Sequence, residues 1–188
     1  MVHGMNKYTG VDSKNQLGVG FGETLTAGAR THGRIPGVNP PWASVKGVLV
    51  KGYGVASGPS QDYPYGALER QRPIFKERGL DLGVYFNGTL NIDIRPVTFK
   101  LVKPEFMFRD VRWTDLHPPE HFSFSRCRTL YREVEYEGWI YYPHPETKLR
   151  NFHNPSLLEV ITHLIPQIQI GDQIQVLVNS ERVELRGA

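Results

Sequence analysis

Asn87-Gly88-Thr89-Leu90-Asn91-Ile92-Asp93-Ile94 alternates polar and apolar side chains with a period of two, and that period decides the fold class. On a strand, Leu90, Ile92 and Ile94 share one face, while Thr89, Asn91 and Asp93 share the other. The apolar set can seal a core. The polar set has two readings: an ordinary solvated outer face, or a hydroxyl, an amide and a carboxylate aligned as hard oxygen ligands. Such donors suit Mg²⁺, which keeps several waters and shares a substrate's phosphates.

Outward from this stretch the same kind of segment recurs. Val45, Val48 and Val50 mark an earlier strand that reaches Gly52. Further strands are predicted at 89–95, 98–103, 122–130, 133–142, 157–162 and 173–179, with a bulge at Gly138. Gly171-Asp172 predicts a turn into the last of them. Leu68, Ile74 and Phe75 stand among charges, and Glu69 to Arg78 carries a helical pattern that Pro73 either starts or bends. Six or seven strands with one helix predict a mainly β fold, a small closed six- to seven-stranded barrel with one short helix.

Composition agrees. The 188 residues include 19 Gly and 14 Pro, a richer share than the ~12% of average usage. With 11% aromatics this favours a turn-rich β protein. A net charge of +3 without a basic block argues against a nucleic-acid partner. Cys127 is the only cysteine, which excludes an intramolecular disulfide and a multi-Cys zinc site. The sequence lacks an apolar run of ~18 residues and a signal-peptide core, so the expectation is a soluble cytoplasmic protein with no membrane partner. Oligomeric state is not legible. Residues 1–43 are Gly/Pro-rich without strand or helix period and read as an extended or partly disordered arm, pinned by Trp42. Residues 44–188 form the predicted barrel domain.

Three motifs carry possible chemistry. His117-Pro118-Pro119-Glu120-His121 spells the H-x-x-E-H of inverted zinc proteases, but that site needs a helix and two prolines forbid one. The expectation there is an exposed loop. Gly52-Tyr53-Gly54-Val55-Ala56-Ser57 follows a predicted strand, and its glycines either let backbone N–H groups approach a phosphate or make a tight turn. Glu159 interrupts the apolar strand Leu157-Leu158-Glu159-Val160-Ile161; it is either exposed on an outer face or a partly desolvated proton acceptor.

Read in order, these pieces resemble the archaeal CTP-dependent riboflavin kinases. That family has a G-x-G-E-G turn, then P-G-T-L-N, T-x-H, an L-E-V-I strand and an L-x-G-D-x-V ending. The likeness runs from about Val45 to Val178, through Gly88-Thr89-Leu90-Asn91, Asn151-Phe152-His153 and Leu158-Glu159-Val160-Ile161. The resemblance implies a cradle-loop barrel that moves a phosphoryl group from CTP, or another nucleoside triphosphate, to the 5′-hydroxyl of riboflavin or a similar polyol, giving FMN. It implies Mg²⁺ on Thr89 and Asn91, and a catalytic, substrate-binding Glu159 aided by Asn151 and His153. It implies a nucleotide held by Gly52, Tyr53, Gly54, Val55, Ala56 and Ser57 and by Leu164, Ile165, Pro166 and Gln167. Lys51 or Arg150 is a candidate for phosphate charge, and Tyr85, Phe86 or Phe152 for stacking on the flavin ring.

This chain departs from the pattern at Val55 (family Glu), Ala56 (family Gly), Asn151 (family Thr) and Asn87 (family Pro). The first two changes motivate an alternative, a non-catalytic flavin- or nucleotide-binding barrel with a degraded turn. A third reading, a DNA-binding protein like the swapped-hairpin regulators, follows from the Leu164 to Asp172 segment and has the charge against it.

Overall fold

Nine strands and one α-helix follow one another among the described residues, which are 41–52, 66–148 and 154–187 of a computed structural model. They are β1 (Trp42–Val50), α1 (Ala67–Glu77), β2 (Leu90–Asp93), β3 (Thr98–Leu101), β4 (Phe106–Val111), β5 (Glu120–Tyr131), β6 (Val134–Pro143), β7 (Leu157–Thr162), β8 (Gln173–Asn179) and β9 (Val183–Arg186). A 3₁₀ turn, Pro145–Thr147, follows β6. The predicted arm falls outside the described residues up to position 40. Tyr53 to Ser57, Arg150, Asn151, Phe152 and His153 also lie outside them.

The main sheet runs β4-β5-β6-β7-β2-β1-β8, and β8 pairs back onto β5. That last pairing, Cys127 to Leu130 against Val178 to Gln175, closes six strands into a barrel. The first half of β5 carries β4 instead, so β4 is the extra strand. A strand of 12 residues can serve both partners in turn.

Alternation sorts the side chains into two cores. Inside the barrel lie Val45, Leu49, Ile92, Ile140, Val160 and Val176 with their neighbours. Outside, Phe122, Phe124, Trp139, Tyr141 and Ile161 face α1, which contributes Leu68 and Phe75. Phe75 is fully buried, its ring 4.9 Å from Phe124 and 5.5 Å from Phe108.

Local expectations are refined at four points. Of the two readings of Pro73, starting α1 is excluded: it lies inside the helix, on the exposed side. The carbonyl it orphans is that of Glu69, an exposed residue in the first turn where water can serve it. Gly138 is no bulge: the β5–β6 register is unbroken from Phe122 to Tyr131. Glycine is needed because a Cβ there would stand 2.5 Å from the Ile161 carbonyl oxygen. The 98–103 strand shortens to β3 and leaves the barrel for a two-stranded ribbon with β9, a strand the sequence pattern did not reveal. β4 was likewise missed, because a left-handed Asp110 (φ 50°) shifts its register and interrupts the alternation.

The Gly171 turn forms as expected, with φ 96°. Among the described residues no helix is long and apolar enough to cross a membrane.

Candidate functional site

Antiparallel pairing brings the predicted segments to one end of the barrel. Val50 opposes Asn91, and Leu90 opposes Val160. The ends of β1 and β7 and the starts of β2 and β8 therefore meet there. Two backbone bonds tie the connections together: Gly171 N–H donates to the Leu49 carbonyl (2.8 Å), and Phe86 N–H to the Thr162 carbonyl (2.9 Å). Gly52, Thr89 and the Leu164–Gln167 stretch all emerge at this end.

The central pair is Asn91 and Glu159, directly opposite each other across β2 and β7. Both project to the outer face, because Leu90, Ile92, Leu158 and Val160 fill the barrel. Glu159 is half-buried and has no hydrogen bond or ion pair among the described residues. Burial raises its carboxyl above the usual range, and the nearby Lys148 ammonium only partly offsets this. Such a carboxylate can accept a proton, since among the described residues no fixed donor competes for it.

Gly52 lies against Asn91. A Cβ at Gly52 would stand 2.3 Å from Asn91 Nδ2 and 2.7 Å from its Cγ, so any other residue would displace the Asn91 amide from its present position. Thr89, just before β2, is half-buried, and its carbonyl is 3.5 Å from Asn91 Nδ2. The amide nitrogen thus leans toward Thr89, leaving Asn91 Oδ1 as the available acceptor. Asp93, the third member of the polar row, is not available. Arg95 Nε donates to both its oxygens and holds its acidity strong, so Asp93 does not extend the oxygen row.

The Leu164–Gln167 stretch divides. Ile165 is a barrel-core residue, 2% exposed, whose side chain anchors the segment; Leu164, Pro166 and Gln167 face solvent. Gln167 takes φ 59° and accepts a bond from Arg132 Nη1 (3.3 Å). The Tyr85 ring lies 5.0 Å from that of His163 in a tilted arrangement, and Lys51 is exposed beside Gly52.

Sequence reasoning missed two neighbours of Glu159. Tyr141 is buried beside it; burial, then the Glu159 charge, push its phenol well up. The Tyr141 hydroxyl donates to Gln71 Oε1 of α1 (2.9 Å). Lys148 is half-buried past the 3₁₀ turn. The β6–β7 register, which places Tyr141 next to Glu159, was the signal for the first; nothing local marks the second.

Could the residues hold Mg²⁺? Among the described residues no group of three His, Cys, Asp or Glu could hold a metal. Thr89 and Asn91 offer two neutral oxygens, a set that fits a hard cation bringing its remaining ligands from phosphates and water. The His117–His121 string is elsewhere: His117 to Pro119 form a partly exposed loop as expected, whereas Glu120 and His121 belong to β5. Glu120 is buried at the start of β5, accepting from Trp113 Nε1 at 2.9 Å, with His117 Nδ1 at 4.0 Å.

No protein-family model and no curated protein matches this chain.

Proposed function

We propose that this barrel transfers a phosphoryl group from a nucleoside triphosphate to the 5′-hydroxyl of riboflavin or a similar polyol. One observation carries the reading: the half-buried Glu159 carboxylate, unpaired among the described residues, stands opposite Asn91, against which the Gly52 backbone is packed. A half-buried carboxylate, the Asn91 amide and the Gly52 backbone therefore lie together at one barrel end, which supports reading them as proton acceptor, oxygen ligand and start of a phosphate-binding segment. The resemblance of the Gly88–Asn91 and Leu158–Ile161 motifs to riboflavin kinases supports the same assignment.

Phosphoryl transfer needs little covalent help and depends on positioning and charge. Glu159 would accept the hydroxyl proton as that oxygen bonds to the terminal phosphorus and the bond to the leaving nucleoside diphosphate breaks. Mg²⁺, when bound, would supply charge neutralisation at the phosphates. The Thr89 hydroxyl and Asn91 Oδ1 would hold it, and Lys148 would add positive charge near Glu159. Tyr141, buried beside Glu159, limits the water around the carboxylate.

The test is direct: incubate the protein with riboflavin, Mg²⁺ and each of the four nucleoside triphosphates, and resolve FMN by chromatography. FMN formation, with CTP as the expected donor, supports the reading. Folded protein that makes no FMN with any donor overturns it. Val55 and Ala56 favour a second reading, a flavin- or nucleotide-binding barrel without turnover; calorimetric binding in the absence of FMN formation would establish that instead.

A further inference from the structure

We propose that Arg72 and Glu69 of α1 are positioning residues: they clamp the 85–89 turn and so set where the Thr89 hydroxyl and Asn91 amide stand. The inference rests on the phosphotransferase reading and deepens it.

The contacts are specific. Arg72 Nη2 donates to the Tyr85 carbonyl (3.0 Å) and the Phe86 carbonyl (2.5 Å). Asn87 Nδ2 donates to Glu69 Oε2 (3.1 Å). The turn is also fastened to β7 through Phe86 N–H and the Thr162 carbonyl, and closes on itself through Gly88 N–H and the Phe86 carbonyl. Helix and β7 thus hold three consecutive residues immediately before Gly88 and Thr89. From there the Thr89 carbonyl reaches the Asn91 amide, so a shift of the turn is passed to both oxygen donors.

Three features say that the clamp serves position more than local stability. First, Arg72 Nε and Asn87 Oδ1 are buried and have no partner among the described residues, an unsatisfied donor and acceptor in one small contact. Leaving such groups unpaired is unfavourable and is tolerated where geometry matters more. Second, the Arg72 guanidinium is half-buried and flanked by the Glu69 and Asp81 carboxylates, which favour its charge against burial. Third, position 87 is Asn, whose φ is free, where the kinase pattern has Pro, whose ring fixes φ. A turn without the ring needs an external hold, and α1 provides it.

The experiment compares wild type with Arg72→Met, Arg72→Lys and Glu69→Ala. Glu69 is exposed, so its variant keeps the proposal testable should Arg72→Met fail to fold. Amide hydrogen exchange at Phe86 and Gly88 reads the clamp, and the Mg²⁺ concentration for half-maximal FMN formation reads its consequence. We expect about tenfold faster exchange there in Arg72→Met and Glu69→Ala, with Val160 and Val176 unchanged, since Ångström-scale displacement has large kinetic effects. The Mg²⁺ midpoint is expected to rise by about the same factor with the KM for riboflavin unaltered; Arg72→Lys, able to reach one carbonyl, is expected to fall between.

Unchanged exchange overturns the clamp whatever the activity. Faster exchange with an unchanged Mg²⁺ midpoint overturns the positioning role while the kinase reading stands. Absence of FMN from the wild type removes the kinase reading and with it the positioning role, while the exchange data still decide whether the clamp exists.

Discussion

Glu159 has two measurable consequences. As the proton acceptor it should be hard to replace: Glu159→Gln is expected to lower FMN formation by about 10²- to 10⁴-fold, the usual range for a general base. The rate should rise with pH through a midpoint above the ordinary glutamate value of about 4.3, because burial raises this carboxyl. Stability runs the other way. A carboxyl raised in the folded state contributes stability that is full below the unfolded value and is lost as pH rises through the folded one. The wild type therefore carries a buried charge at neutral pH that Gln lacks. Glu159→Gln is expected to melt higher than wild type near about pH 8 and to show no such advantage near about pH 4; a variant no more stable at the higher pH would refute the desolvation argument. Lower activity with higher stability is what a functional carboxylate gives, and a merely structural one does not. Glu159 was legible in the sequence as a charge on an apolar strand, whereas its lack of a partner among the described residues was not.

The helix α1 works as a lid over the outer face of β5–β7. Phe75, fully buried among Phe108, Phe122 and Phe124, is its main anchor. Phe75→Ala is expected to cost about 3–5 kcal/mol in chemical denaturation, the cost of a large cavity in a packed core. A loss under about 1 kcal/mol would mean that α1 is not held by this contact. The pattern of 69–78 was readable as helix because Leu68, Ile74 and Phe75 recur at helical spacing. Its extension back to Ala67 was not, since Pro73 reads as a boundary until one sees that its ring faces solvent. β4 and β9 were unreadable for another reason. Short edge or ribbon strands carry little alternation, and only their partners define them.

The barrel as a whole is closed by one pairing, β5 with β8, between residues about 50 apart in sequence. Strands β5, β6 and β7 serve the inner core on one face and the α1 layer on the other, so neither layer can open alone. Unfolding followed by tryptophan fluorescence, which reports Trp113 and Trp139 of the outer layer together with Trp42 of β1, is expected to coincide with unfolding followed by far-ultraviolet circular dichroism. Separate transitions would show that the layers are independent. The sequence by itself determined the β class, the strands around Asn91 and Glu159 and the turn at Gly171, because period-two alternation and glycine chemistry are local properties. Tertiary structure alone decided that Asn91 faces Glu159, that Gly52 packs against that amide, that Asp93 is committed to Arg95, and that α1 reaches the 85–87 backbone. Register and closure join residues far apart along the chain, and local pattern carries no information about which partner a strand will find.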